Sequence, residues 1–125
     1  MKRSTLIPII IGAIVVLFII FGIKASSQPG ELDGFAQCLK NKKVTFYGAF
    51  WCPHCQNQKK LFGRSARLLP YVECSTPDGG SQLQICKDKK IEGYPTWEFA
   101  DGSRESGELS LQTLAEKSGC ELPKK

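Results

Sequence analysis

The chemistry of this chain is concentrated in one pentapeptide. Trp51-Cys52-Pro53-His54-Cys55 sets two thiols two residues apart, directly after an apolar run, Val44–Phe50 (VTFYGAF). A polar, helix-compatible stretch follows it. A thiolate at a helix N-terminus is stabilised by unpaired backbone N–H groups and by the helix dipole. The spacing lets the two sulfurs close a disulfide across one turn, with Cys52 exposed and Cys55 tucked beneath it. Pro53 suits a first helical turn. His54, in the same turn, is expected to add positive charge or a hydrogen bond to the Cys52 thiolate. Favouring the reduced form makes the disulfide oxidising. The competing readings are an inert disulfide and half of a zinc site. Zinc needs two further ligands at suitable spacing, and the chain has one histidine and no second CxxC. No metal is expected. No cofactor is expected either, because the cysteine pair is itself the redox centre.

A second cluster lies about 40 residues on, Gly93-Tyr94-Pro95-Thr96-Trp97. A proline at the head of a strand suggests a cis peptide or an edge position. A cis Pro95 leaves the backbone of Tyr94 to pair with an extended substrate; an ordinary strand-opening proline is the alternative. Trp51, Tyr94, Pro95 and Thr96 are therefore candidate substrate contacts. Cys52, Cys55, Pro53, His54 and Pro95 form the candidate catalytic set.

These motifs need elements to hold them. Leu32, Phe35, Ala36 and Leu39 recur at helical spacing, so Glu31–Asn41 is expected to be a short helix. Val44–Phe50 reads as a central strand, because its apolar run is continuous. A helix is expected from Cys52 to about Ala66, then a strand over Tyr71–Cys74 and a turn-rich loop over Ser75–Ser81 (STPDGGS). Gln82–Lys89 reads as a short helix. Thr96–Ala100, the Asp101-Gly102 turn and Arg104–Glu108 read as a hairpin. Ser110 is placed to cap a last helix ending near Ser118, before Gly119. Phe35, Phe50, Phe62, Trp97 and Phe99 are expected in the core.

The N-terminal part is of another kind. Leu6–Ile23 (LIPIIIGAIVVLFIIFGI) carries no charge and holds eight of the ten isoleucines. As a helix it would be about 27 Å long, close to a bilayer's hydrocarbon thickness. An uncleaved anchor is favoured over a cleaved signal peptide, whose apolar core is shorter. Ala25-Ser26-Ser27 would be only a passable cleavage site. Lys2 and Arg3 precede the run and Lys24 alone follows it closely. The positive-inside rule then puts residues 1–24 down as a cytoplasmic tip and single-pass transmembrane anchor, with the rest outside, on the periplasmic or extracellular face of the cytoplasmic membrane. Residues 25–30 form a linker and 31–123 a domain. The net charge is +5. Once the basic flanks are set aside, acidic and basic residues nearly balance. There is no basic stripe and no expectation of nucleic-acid binding.

FYGAFWCPHC, then IEGYPTWEFADG, then a final helix resemble thioredoxin-like domains. They are similar in particular to the thioredoxin-like domain fused to, or partnering, bacterial vitamin K epoxide reductase homologues. The Pro-His dipeptide is also that of DsbA-type oxidases. The resemblance covers about Leu32–Leu122 and implies an α/β thioredoxin-like fold, trimmed of its first strand and preceded here by the single transmembrane helix. It implies that Cys52 attacks or is attacked, that Cys55 resolves, and that Pro95 is the cis-proline. Thioredoxins carry a buried Asp six residues before the first cysteine, where this chain has Phe46. Glu73 and Glu98 are the candidate replacements in proton relay.

Four further cysteines allow three pairings. Cys74 and Cys86 flank the turn-rich loop, while Cys38 is in the first helix of the domain and Cys120 at the end of the last. The expected disulfides are Cys74–Cys86 and Cys38–Cys120, structural in role; electron relay through Cys74–Cys86 is the rival. The sequence thus points to a membrane-anchored thiol–disulfide oxidoreductase that oxidises cysteine pairs in secreted proteins. A vitamin K epoxide reductase-like or DsbB-like membrane partner would reoxidise it. A reductase or isomerase fed with electrons across the membrane, and a non-catalytic anchored binding module, are the alternatives.

Overall fold

The computed structural model describes residues 3–26 and 28–124. Lys2 of the expected basic flank and Ser27 of the expected linker lie outside the described residues. Helix α1 (Arg3–Ser26) contains Leu6–Lys24, with a mean hydropathy of 3.2 and none of it buried, a segment long and apolar enough to cross a membrane. Because the helix already begins at Arg3, Pro8 lies inside it, beyond the first turn, where it removes an i→i−4 hydrogen bond.

The remaining elements run α2 (Asp33–Asn41), β1 (Thr45–Gly48), α3 (Pro53–Leu61), a 3₁₀ turn (Gly63–Leu68), β2 (Tyr71–Glu73), α4 (Gln84–Asp88), β3 (Thr96–Glu98), β4 (Arg104–Ser106) and α5 (Leu111–Ser118). The sheet order is β2-β1-β3-β4, with β1 parallel to β2 and the other neighbours antiparallel. Helix α2 leads straight into β1, and among the described residues no strand precedes it.

The continuous apolar run of β1 has its reason in this position. Phe46 and Tyr47 are both buried, on opposite faces of a central strand. Phe46 stacks on Trp97 at 4.5 Å between ring centroids and meets Tyr71 edge-on at 5.1 Å. Phe35, Leu39, Phe62, Phe99 and Leu114 complete this core. Gln58 is fully buried but satisfied: its side chain donates to Leu109 O at 2.9 Å and accepts from Leu109 N at 2.7 Å, tying α3 to the approach of α5.

Several elements are shorter than the sequence suggests. The helix after the cysteine motif stops at Leu61, because Gly63 enters a left-handed conformation (φ 53°) and the chain tightens into the 3₁₀ turn. β1 ends at Gly48, and Phe50, expected in the core, is 48% exposed in the turn that follows. Ser110 caps α5 as expected, its side chain accepting from Thr113 N at 3.0 Å, and Gly119 ends that helix in the left-handed region.

The segment before α2 is held against the domain. Arg64 donates to the Gln28 side chain at 2.9 Å and Leu32 N donates to the buried Ser65 hydroxyl at 3.0 Å. Gly30 lies so close to Ser65 that a Cβ there would meet its Oγ at 2.3 Å. Asp33 pairs with Arg67 through two hydrogen bonds, which hold its carboxyl at about 2.

Candidate active site

Three elements converge on the cysteine pair: the turn leaving β1, the start of α3 and the loop entering β3. Cys52 is the N-cap of α3, in an extended conformation, with Pro53 in the first turn. Its sulfur accepts from Cys55 N at 3.4 Å, so an otherwise unpaired helix-terminal N–H points at the thiol. Its S–H donates to Tyr94 O at 3.6 Å, and the Tyr94–Pro95 peptide is cis. Both thiols are free; Cys52 is 5% exposed and Cys55 1%. Burial pushes the Cys55 thiol up to about 12, with the neighbouring Cys52 thiol adding to the effect. Cys52, expected to be exposed, is thus nearly as buried as Cys55, because its sulfur is enclosed between the Cys55 N–H and the Tyr94 carbonyl.

The rim is aromatic. Trp51 is 49% exposed and meets Tyr94 edge-on at 6.0 Å. Trp51 Nε1 donates to Ser75 Oγ at 2.8 Å, and Gln82 donates to the Tyr94 hydroxyl at 2.7 Å. The 75–82 loop therefore holds both lips. Cys74 and Cys86 are joined at its base (S–S 2.03 Å), and neither is exposed. Cys38 and Cys120 are joined across α2 and the end of α5 (S–S 2.08 Å).

Three expected site residues face elsewhere. His54 Nδ1 lies 2.6 Å from Glu108, with the ring 70% exposed, and no hydrogen bond from it to Cys52 occurs among the described residues. The carboxylate before α5 competes for the charge that His54 would offer the sulfur, and His54 in turn holds the Glu108 carboxyl below its usual range. Thr96 is buried, and its hydroxyl donates to Gly93 O at 2.8 Å, which closes the loop before β3. Glu98 pairs with Arg104 and Lys89 at the far end of β3, and among the described residues it makes no hydrogen bond to a cysteine.

Glu73 is different. It accepts from the Tyr71 hydroxyl at 2.7 Å, from Phe50 N at 3.2 Å and from Ser75 N at 2.9 Å. Sequence reasoning passed over Tyr71 and Lys59, whose ammonium lies 3.5 Å from the centroid of the Tyr71 ring. The available signal was the Tyr-x-Glu spacing, which puts Tyr71 and Glu73 on one face of a strand.

Gly48 makes this approach possible. A Cβ there would lie 2.8 Å from Tyr71 Cε2 and 3.0 Å from Cys55 Sγ. Gly48→Ala is therefore expected to destabilise the fold by about 1–3 kcal/mol through overpacking, read as a lower urea midpoint. An unchanged midpoint would mean that the Tyr71 ring is free to move aside.

No protein-family model matches the chain. Over 105 residues, 80% of its length, it is 45% identical to the thiol-disulfide oxidoreductase LTO1 of Arabidopsis thaliana, covering 27% of that protein. The fold is thioredoxin-like. A protein disulfide-isomerase, erp38 of Neurospora crassa, is 30% identical over 112 residues, 78% of this chain and 30% of the relative. A thioredoxin domain-containing protein 5 homolog of Drosophila melanogaster is 29% identical over 83 residues, 58% of this chain and 19% of the relative. The chain thus spans less than a third of the length of each of these curated relatives. Two of these relatives bear the names of thiol–disulfide enzymes, and the third that of a thioredoxin domain-containing protein.

Proposed function

We propose that this chain is a membrane-anchored thiol–disulfide oxidoreductase that oxidises cysteine pairs in protein clients outside the cytoplasm. The observation that carries the reading is the N-cap position of Cys52, its sulfur between the Cys55 N–H and Tyr94 O beneath an aromatic rim. The similarity to thiol–disulfide oxidoreductases supports the same chemistry. A client thiolate attacks Cys52, the Cys52–Cys55 bond breaks, and Cys55 leaves with the electron pair. The client's second thiol then attacks the mixed disulfide, forming the client disulfide and releasing Cys52 as a thiolate. Trp51, Tyr94 and the Pro95 backbone border the approach.

In this reading residues 1–24 are the anchor with its N-terminus inside, 25–30 the linker and 31–123 the catalytic domain. The apolar α1 supports the anchor, and two disulfides suit an oxidising compartment. A vitamin K epoxide reductase-like or DsbB-like enzyme in the same membrane would take electrons from the reduced pair. Cys74–Cys86 is a structural brace: both residues are fully buried, so no incoming thiolate meets either sulfur.

The test is the reduction potential of Cys52–Cys55 in the full chain in detergent, equilibrated with glutathione and read by alkylation and mass spectrometry. A value of about −120 to −180 mV is expected for an oxidase or isomerase. A value near about −270 mV would reverse the electron flow and leave a reductase. No exchange at all would leave a binding module.

A further inference from the structure

We propose that the disulfide-closed loop between Cys74 and Cys86 is a client-specificity element, which holds Phe50 and Trp51 as an apolar subsite for the residue beside the client's reacting cysteine. The inference rests on the disulfide-exchange reading above and names the class of client that it favours.

Phe50 and Trp51 are successive, large and both half-exposed, and an exposed apolar pair beside a reactive sulfur is the kind of patch that marks a binding surface. Among the described residues no ring contact involves Phe50. Yet neither residue is loose. The Phe50 N–H donates to Glu73 at 3.2 Å, and the Phe50 carbonyl accepts from the Gln56 side chain at 3.0 Å. The Trp51 indole N–H donates to the Ser75 hydroxyl at 2.8 Å. The Glu73 oxygen that receives Phe50 N also receives Ser75 N, so one carboxylate ties the turn after β1 to the start of the loop. Gly79, at φ 74°, brings the loop against both rings: a Cβ there would lie 3.5 Å from Trp51 Cδ1 and 4.0 Å from Phe50 Cζ. The loop is itself fixed. Cys74–Cys86 closes its base, Ser75 and Gln82 form an isolated bridge, and Thr76 N donates to Ser81 O at 2.9 Å.

An aromatic pair held in this way is preorganised, with little backbone freedom left to lose on binding. Its occupant follows from its place. Trp51 adjoins Cys52, and a client bonded to Cys52 carries its next residue only about 3.8 Å along its chain. A residue flanking the client cysteine therefore passes over the platform, where an apolar side chain removes surface from water. Glu73 and Asp78, the acids that brace the loop, disfavour a carboxylate in the same place. The expected order of preference is aromatic, then alanine, then glutamate.

The test uses the full chain in detergent with Cys52–Cys55 oxidised. The probes are reduced dicysteine peptides of one sequence that differ only in carrying phenylalanine, alanine or glutamate beside the first cysteine. Each rate of chain reduction is divided by the rate of the same peptide with oxidised glutathione, which removes differences between the peptide thiols themselves. Expected for wild type is a corrected rate about tenfold higher with the phenylalanine peptide than with the alanine peptide, and lower still with glutamate. In Phe50→Ala the phenylalanine-to-alanine ratio is expected to fall to about twofold or less. Ser75→Ala is expected to lower the ratio as well, because the indole loses its anchor, while Ser75→Thr keeps the hydroxyl and the ratio. Equal corrected rates in wild type would overturn the subsite and leave the oxidoreductase reading intact; a dimer in detergent that Phe50→Ala dissociates would then give the platform to a second copy. A ratio that survives in Phe50→Ala would also overturn the subsite, and one that survives in Ser75→Ala would overturn the part given to the loop. A wild-type chain that exchanges neither with the peptides nor with dithiothreitol would defeat the underlying reading, and the subsite with it.

Discussion

Replacing Cys55 by serine is expected to turn the chain into a trap for disulfide-bearing partners, with turnover reduced at least about 1000-fold. On the proposed reading Cys52, whose sulfur borders the Tyr94 carbonyl at the start of α3, is the sulfur that partners attack. Cys55 is 1% exposed, and its thiol is held up at about 12, so it acts only inward, on a disulfide already formed at Cys52. Without Cys55, a mixed disulfide at Cys52 has no internal route to resolution and accumulates. In Cys52→Ser none forms. Non-reducing electrophoresis with mass mapping of the adducts distinguishes these outcomes. Adducts on Cys55 in the Cys52→Ser chain would reverse the assignment of the two roles.

The other large effect is on stability. Cys38–Cys120 closes 82 residues, nearly the whole domain, and chain-entropy arguments value such a link at about 4–5 kcal/mol. Cys74–Cys86 closes only 12, for about 3 kcal/mol. Small domains have total stabilities of roughly 5–15 kcal/mol. Removing the long-range link by Cys38→Ala with Cys120→Ala therefore takes away a large share. The urea midpoint is expected to fall by about 1.5 M or more. A fall under about 0.5 M would mean that helices α2 and α5 are held by packing on Leu39 and Leu114 alone.

The parts of the fold that follow from local chemistry were legible in the sequence. Proline after the first cysteine marks the start of α3, Ser110 and Gly119 bracket α5, and the run in β1 announces a strand covered on both sides. What stayed hidden depends on partners distant in the chain. His54 looks poised for Cys52 until Glu108, 54 residues later, is brought to its Nδ1. Phe50 looks like core until Gly48 ends the strand and leaves it in a turn. Glu73 and Glu98 read alike, as acids in strands. Only parallel pairing of β2 with β1 sets Glu73 and Tyr71 beside the cysteines, while β4 supplies Arg104 to Glu98.

The docking of residues 28–32 onto Ser65 and Arg64 has a kinetic consequence. Helix α1 extends to Ser26, and by Gln28 the chain is already bonded to the domain. On the anchored reading, the domain is kept within a short length of chain of the membrane. Encounter with a partner in the same bilayer becomes a two-dimensional search at high effective concentration, in the way that a short tether concentrates its ends. Soluble clients gain nothing from this confinement. The short, docked connection would therefore speed regeneration of the cysteine pair more than its delivery to substrates.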